Sequence, residues 1–289
     1  MTTAAALGKY WHPIARSEDV TEQPARFGLL DDFVVAFRDE NGPVAFKDMC
    51  IHRGAALSLG WIKDGTLTCP YHGWQFDRTG ACVKIPSRSP DAPIPALARA
   101  IPYRAQEKYG VVWVAMDDPQ FDIPPFPENV FGQPGWRDFI SYREVWKTSA
   151  ARTVENFMDF SHFPYVHPNL LGTEDKAEVS PYKVSRTEDG LRYTFSQEEP
   201  SELYGKGGKQ VVDYEYIIHM PFTIHLKKVE TDSGATTIIS MATTPLTDKT
   251  SELYGWILRN HSLDAPDAQF GDFRGVCEKS ATGPAERKF

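Results

Sequence analysis

Two short stretches decide how this chain folds: Cys50-Ile51-His52-Arg53-Gly54 and Cys69-Pro70-Tyr71-His72-Gly73. Each holds one cysteine and one histidine, as C-x-H and C-x2-H, and 16 residues separate the two patterns. Glycine and proline in both stretches are typical of turns, so we expect each pair at the tip of a loop between strands. Thiolate and imidazole are ligands that suit zinc or iron–sulfur centres. Two such loops on neighbouring hairpins would hold one metal centre between them.

Three interpretations of these four residues are open. They could be unrelated buried side chains, although two of the four cysteines and two of the eight histidines fall in the two short clusters. They could form a Cys2His2 zinc site, but zinc fingers place both cysteines in one pair and both histidines in the other. A [2Fe–2S] cluster with two cysteines on one iron and two histidines on the other is satisfied by the mixed pairs. The pattern therefore favours an iron–sulfur cluster.

Length, charge and hydropathy exclude several classes of protein. A chain of 289 residues predicts about two domains with a sizeable core. The net charge of −8 argues against nucleic acid or an anionic membrane as the main partner. No apolar run reaches the roughly 18 residues needed to span a bilayer. Four cysteines are too few for a disulfide framework, and the N-terminus does not resemble a secretory signal, so we expect a cytoplasmic protein.

The strand, turn and helix patterns along the sequence predict an α+β protein of two domains. Residues 1–118 form a small all-β domain of short strands, with a hairpin turn at 39–42. The proline-rich stretch 119–134 starts the second domain, residues 119–289, which contains an antiparallel sheet flanked by helices. Its predicted helices cover residues 149–163, ending before Pro164, and 264–279. Its predicted strands cover 211–220, 222–230, 236–244 and 253–260, with a tight turn at 232–234 between the second and third.

A second set of polar residues lies on the first of these predicted helices. Asn156, Asp159 and His162 are spaced three apart and share one broad helix face. Pro164 interrupts the helix, which allows His167 to turn back towards His162. Two imidazoles and one carboxylate form the facial triad of non-haem Fe(II), with open positions for O2. Taken alone, H-x4-H near a helix end is more typical of packing and capping.

The stretch CIHRGAALSLG…LTCPYHGWQFD resembles the Rieske cluster-binding motif. The resemblance implies that Cys50 and Cys69 bind one iron of a [2Fe–2S] cluster and that His52 and His72 bind the other. Cytochrome bc-type Rieske proteins carry two further cysteines that bridge the two loops. The corresponding positions here are Ala55 and Tyr71, so that disulfide is absent.

The stretch ENFMDFSHFPYVHP resembles the N-x2-D-x2-H-x4-H signature of Rieske non-haem iron oxygenases, with the vanillate O-demethylase-like group most similar. The resemblance covers residues 10 to 273. It implies that His162 and His167 bind a mononuclear Fe(II). Asp159 matches the acid that links a Rieske histidine of one subunit to an iron histidine of the next, and Asn156 matches a polar residue close to the iron.

By this resemblance the chain is a terminal oxygenase component. A ferredoxin and/or flavin reductase would deliver electrons from NAD(P)H, and a head-to-tail homotrimer would bring a cluster beside the iron of the next subunit. With O2, the enzyme would hydroxylate or O-demethylate a small aromatic or alicyclic substrate. No nucleic-acid or membrane partner is expected. The alternative is a non-catalytic Rieske electron-transfer protein, or an inactive or truncated oxygenase.

The possibility of a non-catalytic or truncated protein remains because the sequence lacks the expected third iron ligand. The family places an aspartate near the C-terminus, where this sequence has Lys279 or Ser280. We therefore expect a truncated or altered terminus. Three outcomes follow: water completes a weak site, the iron is lost, or a nearby acid substitutes. The candidate acids are Asp264, Asp267, Asp272 and Glu278.

Overall fold

The computed structural model describes residues 3–166, 174, 177–200 and 209–271, and the chain divides into two compact units. The first unit contains Met1–Ile123 and Thr244–Ser251, and the second contains Pro124–Thr243 and Glu252–Phe289. The domain boundary expected after residue 118 remains a prediction. Within the described ranges, no helix has the length and apolar character needed to cross a membrane.

Two β-sheets build the first unit. The larger has six strands in the order β1-β10-β9-β4-β3-β2, and the smaller has four in the order β5-β6-β7-β8. The strands are β1 (His12–Arg16), β2 (Ala25–Leu29), β3 (Asp32–Asp39), β4 (Gly42–Lys47), β5 (Trp61–Lys63), β6 (Thr66–Thr68), β7 (Gln75–Phe76), β8 (Cys82–Lys84), β9 (Pro102–Lys108) and β10 (Val111–Ala115). Two single-turn 3-10 helices, Ser17–Asp19 and Leu57–Leu59, lie among them.

The predicted hairpin turn at 39–42 is confirmed. Asp39 is the last residue of β3 and pairs with Gly42, the first of β4. The Asp39 side chain accepts a hydrogen bond from the Asn41 amide at 2.8 Å, and Gly42 takes a φ of 108°. Local turn chemistry therefore sets the register of β3 and β4.

Buried apolar side chains fill the space between β3, β4 and the four-stranded sheet. They are Val35, Phe37, Val44, Phe46, Leu57, Leu67, Phe76, Ile85, Ala98 and Ala100, together with Cys50, Cys69 and Cys82. Because Cys50 and Cys69 belong to this core, both thiols lie inside the domain and not at its surface.

One seven-stranded sheet dominates the second unit, in the order β11-β17-β16-β15-β14-β13-β12. The strands are β11 (Arg137–Trp146), β12 (Lys183–Arg186), β13 (Gly190–Pro200), β14 (Lys209–His219), β15 (Thr223–Glu230), β16 (Thr236–Pro245) and β17 (Ser251–Arg259). The four predicted strands correspond to β14–β17, and the predicted turn closes with the Gly234 amide donating to Glu230 at 2.9 Å. The sequence analysis did not identify β11, β12 or β13.

The helices are short. They are α1 (Thr3–Leu7), α2 (Ala150–Met158), α3 (Phe163–Val166) and α4 (Ala268–Gly271), with a 3-10 turn at Pro127–Asn129. The predicted helix 149–163 was wrong at its C-terminal end. Asp159 leaves the helical region (φ −79°, ψ 118°) and ends α2, whereas Pro164 lies in the first turn of α3, where its missing N–H costs nothing. Of the predicted helix 264–279, α4 is described, and residues from 272 onward lie outside the described ranges.

Helix α2 packs on one face of the seven-stranded sheet. Ser149 caps its N-terminus by accepting from the Arg152 amide, and buried Thr153 donates within the helix and contacts Thr243 Oγ1 at 3.1 Å. Phe157 meets the Tyr216 ring edge-on. The sheet face beneath the helix is lined by Tyr193, Phe195, Val212, Tyr214, Tyr216, Ile218, Ile224, Leu226, Met241 and Leu253.

The opposite face of the same sheet buries a histidine. Since strand side chains alternate, His225 points away from the face of Leu226, and it is 2% exposed. His225 Nδ1 lies 2.7 Å from Ser240 Oγ, and the ring of His219 lies 5.3 Å away. Burial, reinforced by the neighbouring His219, lowers the pKa of His225 to about 3. His225 is therefore neutral in the folded protein at ordinary pH.

Alanine at Gly60 is expected to disrupt the small sheet, whereas alanine at Gly65 of the same hairpin is tolerated. A Cβ at Gly60 would lie 2.1 Å from the Thr68 carbonyl oxygen, which is backbone and cannot move without parting β5 from β6. Gly65 has a φ of 71° and no atom within 4 Å, so Gly65→Ala costs about 1–2 kcal/mol of backbone strain. Melting temperature and iron bound per chain should fall further in Gly60→Ala. Equal losses in the two variants would contradict this account.

His225 should make the second unit sensitive to acid. Its pKa is 6.5 when unfolded and about 3 when folded, so its stabilising contribution is complete above pH 6.5 and is lost as the pH falls below that value. The expected loss is about 1.4 kcal/mol per pH unit between pH 6 and 4.5. His225→Asn should reduce the slope of unfolding free energy against pH, measured by urea titration, by about that amount. The account fails if the variant keeps the wild-type slope.

Candidate metal centres

The two cysteine–histidine loops close with the same backbone pattern. In the first, after β4, the Cys50 amide donates to the Ala55 carbonyl at 2.7 Å and the Gly54 amide donates to the Cys50 carbonyl at 2.8 Å. Gly54 has a φ of 73°, a conformation that residues with a Cβ adopt at a cost.

The second loop joins β6 to β7 and repeats this pattern. The Cys69 amide donates to the Trp74 carbonyl at 2.8 Å, the Gly73 amide donates to the Cys69 carbonyl at 3.0 Å, and Gly73 has a φ of 70°. The loops differ in where the histidine falls, two residues after Cys50 but three after Cys69. The folded chain thus brings the four predicted cluster residues to two matched loop tips.

The four side chains divide by burial. Cys50 and Cys69 are 2% and 1% exposed, whereas His52 is half-buried and His72 is exposed. The two imidazole centroids lie 4.6 Å apart. Burial and the adjacent Cys69 thiol raise the pKa of Cys50 to about 11, although the amides of His52 and Arg53 point at its sulfur and oppose the shift. The Cys50 thiol therefore needs a metal if it is to ionise at neutral pH.

These residues fit a dinuclear cluster better than a single ion. His52 Nδ1 is buried and has no hydrogen-bond partner among the described residues, as expected of an atom that binds metal. Within those same residues, no three histidine, cysteine or acidic side chains converge on one ion. A tetrahedral zinc ion requires such convergence, whereas a [2Fe–2S] cluster separates the cysteine pair from the histidine pair.

The second candidate centre lies where α2 ends. Asp159 Oδ1 accepts hydrogen bonds from the Ser161 amide at 2.8 Å and the Ser161 hydroxyl at 2.5 Å, and Asp159 Oδ2 lies 3.4 Å from His162 Nδ1. Partial burial raises the pKa of Asp159, but the Ser161 hydrogen bonds and the His162 imidazole outweigh it and hold that pKa below its ordinary value. The carboxylate is therefore ionised and faces an imidazole.

The remaining predicted residues of this centre are placed less completely. Asn156 is exposed on α2, and because the helix ends at Met158 it does not share a continuous helical face with His162. The expected common face for Asn156, Asp159 and His162 was therefore wrong, since a side-chain turn at Asp159 replaces the last predicted helical turn. His167 lies outside the described residues.

Of the four candidate acids, Asp267 forms an ion pair with Arg137. Arg137 Nε donates to Asp267 Oδ1 at 2.5 Å and Arg137 Nη2 donates to Oδ2 at 2.9 Å, a two-pronged ion pair. The Arg137 guanidinium holds the pKa of Asp267 below its usual range. Asp267 is thus unsuited to be an iron ligand. Asp264 is exposed, and Asp272 and Glu278 lie outside the described ranges.

Buried Arg259 organises the segment that contains Asp267, a role that the sequence analysis did not assign. Its guanidinium donates to the carbonyls of His261 (2.8 Å), Ser262 and Ala265 (2.8 Å). The Phe270 ring lies 4.1 Å from its central carbon. No local sequence signal indicates these contacts, because one side chain recognises the backbone of a turn.

Comparison with known proteins gives the same two-part division. Residues 10–103 match the Rieske [2Fe-2S] domain, and residues 146–274 match the vanillate O-demethylase oxygenase C-terminal domain. Methylxanthine N1-demethylase NdmA of Pseudomonas putida is 30% identical over 266 residues, which cover 90% of this chain and 75% of that protein. Methylxanthine N3-demethylase NdmB of the same organism is 32% identical over 233 residues, or 76% and 64% of the two chains.

Solved structures agree. Pseudomonas putida NdmA with caffeine superposes with a TM-score of 0.82 at 28% identity, over 99% of this chain and 86% of that one. An all-β cluster domain and a sheet domain with a histidine–carboxylate pair define an iron-dependent oxygenase that carries its own electron-transfer centre. The chain belongs to the Rieske non-haem iron oxygenases, as a terminal oxygenase component. Members of this family contain a Rieske [2Fe–2S] cluster and a mononuclear iron.

Asp267→Asn is expected to weaken the fold and leave iron binding intact. Both partners of the Arg137–Asp267 pair are over a third exposed, so solvent screens the pair and the melting temperature should fall by only a few degrees at most. Asp264→Asn, on the same segment, serves as the control with a smaller change. Loss of the mononuclear iron from Asp267→Asn, measured as iron per chain, would make Asp267 a ligand after all.

Proposed function

We propose that this chain oxidises a small aromatic or alicyclic compound with O2, by hydroxylation or oxidative demethylation. The observation that carries the proposal is the pair of centres: Cys50, His52, Cys69 and His72 on two matched loops, and Asp159 against His162 at the end of α2. The first group matches the cluster ligands that the family resemblance implies, and the second pairs a proposed iron ligand, His162, with the acid that the resemblance places beside it.

Four residues would hold the cluster. Cys50 and Cys69 would bind the inner iron from within the apolar core, and His52 and His72 would bind the outer iron. The exposed His72 leaves the cluster open on one side to an electron carrier. Sulfur ligands inside and imidazoles outside give the cluster an asymmetric environment, with the outer iron the natural site for the transferred electron.

His162 and His167 would hold the second iron, which supplies O2 activation when bound. Because Ser161 engages Asp159 Oδ1, the other carboxylate oxygen is left facing His162 Nδ1. A hydrogen bond from Nδ1–H to that oxygen would hold His162 in the tautomer that leaves Nε2 free for a metal. We assign Asn156 a place near the iron on the family resemblance. Asp264, Asp272, Glu278 and water remain the alternatives for the third ligand.

Charge distribution supports an acidic electron donor. Residues 49–101, which carry both cluster loops, hold six cations and three carboxylates in a chain of net charge −8. Arg53, Lys63, Lys84 and Arg88 are exposed there. A ferredoxin or flavin reductase of negative charge would be steered to this surface. We further propose a homotrimer in which Asp159 links the iron of one subunit to the cluster of the next, and a cytoplasmic location.

The relatives support the reaction class. The named activity of NdmA and NdmB is demethylation of methylxanthines, which are small aromatic compounds. Insertion of one oxygen atom into a methyl C–H bond, with two electrons and two protons reducing the other atom to water, gives a hydroxymethyl group that leaves as formaldehyde. The same insertion at a ring or side-chain carbon gives a stable alcohol.

His162→Ala should abolish product formation and leave the cluster spectrum unchanged, because His162 belongs to the second centre alone. The measurements are iron and acid-labile sulfide per chain, the visible spectrum, and product or formaldehyde formed from a panel of N- and O-methylated aromatics with a reductase supplied. The wild type should hold three irons to two sulfides, and His162→Ala two to two.

His261→Gln is the matched control, since His261 lies in the same unit and has no assigned role in either centre. It should keep three irons and full activity. Activity that survives His162→Ala would overturn the mononuclear-iron assignment. A wild type with two irons to two sulfides after Fe(II) is added back would identify the chain as an electron-transfer protein.

A further inference from the structure

The indole of Trp74 lies flat on the imidazole of His52. The two ring centroids are 4.5 Å apart and the planes differ by 7°, which is a stacked pair. Trp74 ends the second cluster loop, whereas His52 belongs to the first. The stack therefore joins two loops whose backbone hydrogen bonds each close within their own loop.

Besides the adjacent thiols of Cys50 and Cys69, the two loop tips meet through ring contacts. Cys50, Cys69 and Cys82 are free thiols, so no disulfide among the described cysteines ties one loop to the other. The His52 and His72 rings meet edge-on at 4.6 Å, and Tyr71, which packs on His72 at 3.9 Å, is 65% exposed. Of these three ring contacts, Trp74–His52 is the one in which the rings stack face to face.

Trp74 is itself held from two sides. Its carbonyl accepts the Cys69 amide at 2.8 Å, and its ring packs against the buried core that contains both cysteines. Because the backbone and one face of Trp74 are held in place, its other face can hold the His52 imidazole in a fixed orientation. His52 Nδ1, buried and without a partner in the described chain, is the atom whose direction depends on that ring.

We propose that Trp74 is a positioning residue that latches the two cluster loops together and aims His52 at the cluster. The proposal rests on the ligand set assigned above. In this proposal the Trp74–His52 stack joins the two loops, as a disulfide does in Rieske proteins that have two further cysteines. Trp74 acts through His52 and touches no substrate.

The stack also bears on how readily the cluster accepts an electron. Trp74 covers one face of His52 and keeps water from it, while His72 stays exposed. The negative face of the indole and the loss of water both disfavour the extra negative charge of the reduced cluster. Trp74 therefore lowers the reduction potential.

The decisive comparison is Trp74→Leu against Trp74→Phe and Trp61→Leu. Leucine fills space without a ring, phenylalanine keeps a smaller stack, and Trp61 is an exposed tryptophan on β5 of the same sheet. The loaded proteins are challenged with an iron chelator while the visible spectrum is followed, and the midpoint potential is measured by redox titration.

Trp74→Leu should lose its cluster at least fivefold faster than wild type. Its cluster should also be easier to reduce. The equilibrium constant for one-electron reduction should increase about threefold, which corresponds to a rise of roughly 30 mV in the midpoint potential at 59 mV per tenfold. Trp74→Phe should lie between the two, and Trp61→Leu should match wild type. Wild-type half-life and potential in Trp74→Leu would overturn the proposal.

Two further variants keep the result interpretable. If Trp74→Leu does not fold, Trp74→Phe is compared with Trp61→Phe, and equal behaviour of that pair overturns the proposal. His52→Ala tests the ligand assignment separately. A cluster that forms with an unchanged spectrum in His52→Ala refutes the ligand set, whereas a cluster that needs His52 but not Trp74 refutes only the latch.

Discussion

Two thiols buried side by side in an apolar core are the constraint on which the first unit depends. Burial and the adjacent Cys69 thiol raise the pKa of Cys50, so Cys50 does not ionise there at neutral pH without a metal. The matched turns at Gly54 and Gly73 bring the cysteines inward and leave the histidines outward. Because the apolar core contains the two cysteines that we propose as cluster ligands, we expect folding of this unit and loading of its cluster to be coupled.

Local sequence signals predicted the parts of the fold that local chemistry determines. The turns at 39–42 and 232–234 and the strands β14–β17 were recognisable because turn residues and β-branched or aromatic runs act over a few positions. The cysteines and histidines stand out in the sequence because metal ligands have few substitutes, and their assignment as ligands stays a prediction. Strands β11–β13 were not recognisable, because charged and polar residues interrupt their apolar positions.

Specific side-chain contacts, whether local or between distant residues, could not be predicted from sequence patterns. The end of α2 depends on which donors Asp159 captures, and Ser161 competes there with continuation of the helix. The pairing of Asp267 with Arg137 spans 130 positions, and Trp74 meets His52 only because two separate turns have the same shape. In each case the contact depends on side-chain geometry that the order of residues does not reveal.

Arg259 shows what such a contact implies for change over evolution. Its guanidinium binds carbonyl oxygens of the turn at 261–265 and no side chain there, so the turn is recognised by its path and not by its composition. Substitutions at 261–265 that keep the backbone angles leave this recognition intact. Position 259 has no such freedom, because a lysine lacks the planar fork that reaches several carbonyls at once. Sequence drift is thus permitted in the turn and forbidden at the residue that holds it.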